Sequence, residues 1–266
     1  MRIYLINLAR RPDRLAAMIR QTVPLGLSLE RIEAVDARSE APAMVNRWFT
    51  RSGPLGEIPM GDKACLLSHR LAWEMFVAGG ESHAAFLEDD VRLSASAPAL
   101  LASNGWIPTD VAVVKLEHYV PPGQRVLLTG MRAVGEDFQM GRMLSRHTGA
   151  AAYILSRRAA ELLLRQKSFN LPVDHLLFNP NNSQLFARLS PWQLVPAIAR
   201  QEGFVGEKSD IEGTRLGLRA FSGTYVRREL VRFGYDLKLL PRQAMALLRG
   251  AKFVAIRSSG DQLGGL

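Results

Sequence analysis

An α/β fold, built as a mainly parallel sheet flanked by helices, is the class predicted by this 266-residue sequence. Short β-rich apolar runs alternate with helical patterns from the first residues onward, which argues for helices laid on the faces of a parallel sheet. Several runs are apolar without a break, as strands covered on both faces are. A composition 47% hydrophobic and 22% charged suits a packed core and lies far from the polar balance that keeps chains disordered. The length fits one main domain, alone or with an appendage.

Arg2 to Leu8 reads as the first strand, followed by the loop Ala9 to Arg14 and a helix through Leu15, Met18 and Ile19. Arg31 to Val35 reads as a second strand ending in Asp36, and residues 37 to 60, rich in Pro and Gly, as surface loop with one short helix. Leu66, Leu67, Leu71, Trp73, Phe76 and Val77 give Lys63 to Ala78 a helical apolar face, which Gly79-Gly80 stops. Buried strands are expected at Ala84 to Leu87, Val111 to Leu116 and Ala150 to Leu155, with Ser156 capping a helix from Arg157 to Gln166. Leu171 to His175 reads as a loop and Leu194 to Ile198 as a late strand. Beyond Ser209, helical patterns at Tyr225 to Phe233 and Arg242 to Leu248 set arginines against apolar residues.

Charge is unevenly placed. Of the formal +9, residues 215 to 266 carry +7, from ten Lys/Arg against three Asp/Glu. A local basic tail with leucines and aromatics suits an anionic membrane surface, or a subdomain packed on the core with a solvated basic face. Nucleic acid is not the expected partner, because no aromatic platform for stacked bases accompanies the charge. The single cysteine, Cys65, permits no intramolecular disulfide, and no run reaches a membrane span or signal-peptide core, so a cytoplasmic setting is expected.

Phe86-Leu87-Glu88-Asp89-Asp90 carries the strongest chemistry. Strand alternation puts Glu88 and Asp90 on one face and Asp89 on the other. Ligands of parallel α/β sheets sit at the carboxyl ends of strands, where this cluster falls. A hard divalent cation, Mn²⁺ or Mg²⁺, relieves the repulsion between such carboxylates and can bridge a diphosphate; a solvated acidic turn is the blander alternative. Asn7, Arg11 and Arg14 follow the first strand, where guanidinium forks can meet phosphate. Among five histidines, His175 stands out because Asp174 adjoins it, pairing a possible base with a possible metal ligand. His69, next to Ser68, suits either a ligand contact or a packed role. Zinc spacings, a Walker loop and a nucleophile elbow are absent from the sequence.

Taken together, Ile6-Asn7-Leu8 with Arg11-Pro12-Asp13-Arg14, Ala34-Val35-Asp36, Cys65 with Ser68-His69, Leu87 to Val91, Lys115-Leu116, Gly149 to Arg157, Pro172 to His175 and Ser209 to Ile211 resemble glycosyltransferase family 25. The resemblance implies a GT-A, Rossmann-like catalytic domain over residues 1–211, with 212–266 a basic, mainly helical extension. It also implies an inverting, metal-dependent transfer of galactose from a UDP-sugar to a lipid-linked or oligosaccharide acceptor such as lipopolysaccharide or lipooligosaccharide. Under it, Asp174 is the expected base and Asp210 the second candidate; Asp90, Glu88 and His175 are metal contacts, His175 alternatively touching the diphosphate. Asn7, Arg11, Arg14, Asp36, Glu88, Asp89 and Lys115 become donor contacts, and residues 215–257 a surface for the inner face of the cytoplasmic membrane. The alternative in another class is a catalytically silent sugar-nucleotide or glycan-binding homologue.

Overall fold

A computed structural model describes residues 1–118, 125–201 and 223–259. In chain order it forms β1 (Arg2–Asn7), α1 (Pro12–Thr22), β2 (Glu30–Glu33), α2 (Pro42–Asn46), α3 (Met60–Ala78), β3 (His83–Glu88), β4 (Val91–Leu93) and α4 (Ala97–Leu101). There follow β5 (Val113–Lys115), β6 (Glu117–His118), β7 (Arg125–Val134), β8 (Phe138–Met143), β9 (Ala152–Ser156), α5 (Arg157–Leu164), α6 (Val173–Phe178) and α7 (Phe186–Leu189). The chain then runs through β10 (Trp192–Val195), β11 (Ala199–Gln201), α8 (Gly223–Leu248) and β12 (Lys252–Ala255).

One nine-stranded sheet has the order β12-β7-β8-β10-β5-β9-β3-β1-β2, and a three-stranded sheet the order β4-β11-β6. The large sheet is mixed. Strands β2, β1, β3, β5, β10 and β7 run one way, yet only β1–β2, β1–β3 and β10–β5 are parallel neighbours. Reversed strands β9, β8 and β12 lie between or beside the others and make the remaining contacts antiparallel. The expectation of a mainly parallel sheet therefore holds for strand direction and fails for pairing, because a strand buried on both faces is equally apolar in either sense.

Alternation along β1 shows how the sheet is covered. Tyr4 and Ile6 join Phe86, Tyr153, Trp73 and Phe76 in one core beneath α3, α5, α6 and α7, while Ile3 and Leu5 join Met18, Leu87, Leu101 and Ile154 in another beneath α1 and α4. Full burial of such side chains is worth about 1.5–3 kcal/mol each. Ser156 caps α5 as expected, its hydroxyl accepting from the Ala159 N–H at 3.3 Å.

Four local readings change. Leu171 to His175 is only partly loop, since α6 begins at Val173 with Pro172 immediately before it; proline fits the start of a helix as well as a turn. The late strand is Trp192–Val195, ending before Pro196, which has no N–H to give the ladder. The hairpin β7–β8, turned at Gly135 (φ +61°), had not been anticipated. The two C-terminal helical patterns form one helix, α8, with Pro241 inside it. Beyond it, β12 pairs with β7, and Ile256 is buried in the main core. The 211/212 boundary lies outside the described residues, and no helix among those described is long and apolar enough to cross a membrane.

Candidate functional site

The carboxyl ends of β1, β3 and β5, strands that point the same way, deliver Asn7, Glu88 and Lys115 to one edge of the sheet. The register sets Ile6 beside Glu88, and the Glu88 N–H donates to the Ala151 carbonyl at 2.8 Å just ahead of β9. Asp89 and Asp90 form the turn into β4.

Asp89 is held inside. Asn7 Nδ2 donates to one of its oxygens at 2.7 Å and Arg14 Nη1 to the other at 3.2 Å. Asn7 Nδ2 also meets the Arg11 carbonyl, and Arg31 Nε donates to Asn7 Oδ1, each at 3.0 Å. These bonds clamp the loop after β1 onto the acidic turn. The Arg11 side chain lies against Asp13 through two bonds of 3.0 and 2.7 Å, holding that carboxyl down at about 2. Asp36 pairs with Arg10 at 2.6 Å. All these residues belong to one rim, but Asn7, Arg14 and Asp89 bind one another, and Asp36 and Arg11 are tied to neighbours.

Glu88 and Asp90 lie near enough for the Glu88 charge to act on Asp90. Gln201 Nε2, from β11, donates to Asp90 Oδ2 at 2.9 Å, while Asp90 Oδ1 is buried with no partner among the described residues. Burial is the main cause that pushes both carboxyls up, to about 7; the Asp89 and Asp174 charges add to it at Glu88, and the Glu88 charge at Asp90. Two carboxylates in so dry a space resist being ionised together.

Behind Glu88 stands a buried chain of hydrogen bonds. Trp73 Nε1 donates to Tyr153 Oη at 2.9 Å, Tyr153 Oη meets His69 Nδ1 at 2.8 Å, and His69 Nε2 meets Glu88 Oε1 at 3.1 Å. Indole can only donate, so the arrangement that pairs every group sends the tyrosine proton to Nδ1 and leaves the imidazole proton on Nε2, aimed at Glu88. Burial lowers His69 to about 3, so the ring is neutral. Cys65 Sγ adds a 3.8 Å contact to the same carboxylate oxygen. Donor atoms of Cys65, His69 and Glu88 lie within 4.8 Å of one another. Burial, then the Glu88 charge, raises the Cys65 thiol well above its ordinary value, so it stays protonated. With both imidazole nitrogens already bonded, this trio is a buttress for Glu88 and a poor metal shell. His69 is thus packed behind the site, the second of its two readings; Trp73, Tyr153 and Gln201 carried no site signal in the sequence.

Helix α6 brings Asp174 and His175 to the same edge, near enough for the Asp174 charge to act on Glu88 and Lys115. The Asn181 N–H donates to Asn179 Oδ1 at 3.0 Å, which orients that amide so its Nδ2 donates to His175 Nδ1 at 2.7 Å. With Nδ1 accepting from Asn179, a neutral His175 carries its proton on Nε2. Lys115 is fully buried: its Nζ donates to Glu117 Oε1 at 2.6 Å and to the Gly149 carbonyl, and lies 4.4 Å from the centre of the Phe178 ring. Asp210 lies outside the described residues. Glu88 therefore sits within electrostatic reach of Asp90, Asp174 and Lys115, with the Asn7–Arg14–Asp89 clamp alongside.

Residues 1–177 match the family model described as Glycosyltransferase family 25 (LPS biosynthesis protein). The lipooligosaccharide biosynthesis protein lex-1 of Haemophilus influenzae is 31% identical over 154 residues, 53% of this chain and 49% of that protein. The lacto-N-neotetraose biosynthesis glycosyltransferase LgtB of Neisseria gonorrhoeae is 33% identical over 156 residues, 53% of each chain. A glycosyltransferase 25 family member of Aedes aegypti is 27% identical over 247 residues, 82% of this chain and 38% of that one. The matched part spans about half or less of the length of these relatives.

Proposed function

Because the chain belongs to glycosyltransferase family 25, we propose that it moves a sugar, galactose, from a UDP-sugar to a hydroxyl of a lipopolysaccharide or lipooligosaccharide glycan, with inversion and in a GT-A arrangement. The observation that carries this reading is the neighbouring buried carboxyls Glu88 and Asp90, with an orphaned buried oxygen on Asp90, at the sheet edge where Asp174 also arrives.

The residues present fit a divalent cation. Asp90 Oδ1 is a buried acceptor with nothing to accept from, and oxygen donors are what Mn²⁺ and Mg²⁺ take. Glu88 and Asp90 would hold the ion, which when bound would offset the charge of the departing diphosphate. Asp174 takes the acceptor hydroxyl's proton as general base, and Asp210 is the second candidate for that role. His175 Nε2–H donates to a diphosphate oxygen. His69 keeps the Glu88 carboxylate turned into the site. Asn7, Arg14 and Asp89 hold the rim on which the nucleotide lies, Arg11 and Asp36 border it, and Lys115 acts from beneath through its charge.

The cation assignment has a consequence readable without turnover. Both carboxyls are raised in the folded chain, so the stability gained by keeping them protonated is complete below the ordinary carboxylate range and is lost as pH rises through about 7. Metal-free protein is expected to melt at a lower temperature at about pH 8 than at about pH 5.5 on account of these groups. Mn²⁺ is expected to raise the melting temperature at the higher pH, far less at the lower, and not in Asp90→Asn. Equal shifts at both pH values would remove the pair as ligands.

The reading includes a location, the inner face of the cytoplasmic membrane, which the surface of α8 and β12 supports. Leu240, Met245 and Leu248 are exposed beside Arg242, Arg249 and Lys252, a pattern suited to anionic lipid. Because β12 is a strand of the main sheet, point substitutions test this better than truncation. Leu240→Glu with Leu248→Glu should weaken binding to phosphatidylglycerol-containing vesicles about tenfold or more, the scale of one lost leucine contact; unchanged sedimentation would dismiss the surface.

UDP release from a panel of UDP-sugars, with and without Mn²⁺, tests the reaction itself. Cation-dependent release from one donor supports it. Absence of both release and UDP binding would instead favour a silent homologue.

A further inference from the structure

A second cleft, of about 320 Å³, lies between the Thr50 loop, the Ser168 to Leu171 segment and α7. Its size falls within the range of small-ligand sites, about 300–1,000 Å³. Leu176 and Leu185 line it together with the polar residues Asn182, Gln184, Ser168 and Arg188. Among the described residues no carboxylate lines it.

The walls are built rather than incidental. The Thr50 N–H donates to the Phe169 carbonyl at 2.9 Å and the Phe169 N–H to the Trp48 carbonyl at 2.8 Å, and a Cβ at Gly53 would collide with the Asn170 carbonyl. Asn182 accepts from Asn179 at 2.9 Å through Oδ1, while its Nδ2 is buried without a partner among the described residues. An unsatisfied amide in a cleft wall calls for an acceptor from outside.

Helix α6 separates this cleft from the acidic edge. Asp174 and Leu176 are two residues apart, so their side chains leave nearly opposite faces of the helix, about 10–12 Å across with side chains. Asn179 bridges the two places, bonded to His175 on one side and to Asn182 on the other. We propose that the cleft is a remote saccharide subsite: it holds a distal sugar of the acceptor glycan, ring faces on the leucines and hydroxyls on the carboxamides, while the reacting unit lies at Asp174. The proposal rests on the glycosyltransferase reading above.

Delipidated Haemophilus influenzae lipooligosaccharide is the probe, with binding to the full chain measured by calorimetry alongside UDP binding on the same samples. Gln184, Arg188 and Ser168 are exposed, so their substitution spares the core. Gln184→Ala with Arg188→Ala is expected to weaken the oligosaccharide about tenfold, the scale of one or two lost hydrogen bonds, and Ser168→Trp, which fills the cleft, is expected to do the same. UDP binding should not change in either variant. Wild-type affinity for the oligosaccharide in both variants overturns the subsite. No oligosaccharide binding by the wild type, with UDP still bound, overturns the subsite alone; loss of both removes the glycosyltransferase reading with it.

Discussion

Asp174→Asn is expected to leave UDP binding within about twofold of the wild type and to lower kcat by roughly 10²–10⁴-fold, the contribution of a positioned general base. Asparagine fills the same volume at the start of α6 and cannot accept the proton. The helix itself is fixed by Leu176, Leu177 and Phe178 in the core, so the fold should survive. The two kinetic constants separate explanations: a base acts on the hydroxyl's proton in the transition state, so kcat and kcat/KM fall together, whereas a group that only seats the acceptor changes KM. Because the Asp174 charge helps raise Glu88, its removal should also let Glu88 ionise more readily, and cation binding should not weaken. Turnover at the wild-type rate would move the base to Asp210 or elsewhere.

The acidic site was legible in the sequence to the extent that local pattern fixes it. An unbroken apolar run ending in Glu88-Asp89-Asp90 forces a buried strand to deliver carboxylates to the sheet edge, whereas strand alternation stops at Glu88, and it is the turn after β3 that gives Asp89 to Asn7 and Arg14. Partners were beyond reach. Nothing in the sequence announces that the Tyr153 hydroxyl meets the polar atoms of His69 and Trp73, 84 and 80 residues away, separations bridged by the pairing of β3 with β9 and the packing of α3. Strand direction was equally hidden, since β9 between β3 and β5 has the same apolar face pattern whichever way it runs. Lys115 reads as a cation near a ligand edge and is instead engaged by Glu117, a residue that sequence reading left aside.

That pair supplies the largest expected effect on stability. Lys115 and Glu117 are both fully buried; burial lowers the lysine and raises the glutamate, and each opposes the shift in the other. Glu117 also accepts from the Ala151 N–H at 3.0 Å beside β9. Glu117→Ala leaves an ammonium in the core without its counter-charge, a loss of about 3–5 kcal/mol. The deficit should depend on pH in one sense. A lysine whose folded pKa lies below its unfolded value of about 10.4 binds fewer protons folded than unfolded in between, so stability rises as pH rises through that window. Urea unfolding of Glu117→Ala should therefore recover part of the loss at about pH 9.5 relative to pH 6.5, more than the wild type changes over the same span. Replacing both, Lys115→Met with Glu117→Leu, should restore most of the stability, because removing both charges also removes the desolvation that each one costs. A double variant as weak as Glu117→Ala would mean that the buried pair is held for the Ala151 contact at the entry to β9 and not for its charge balance.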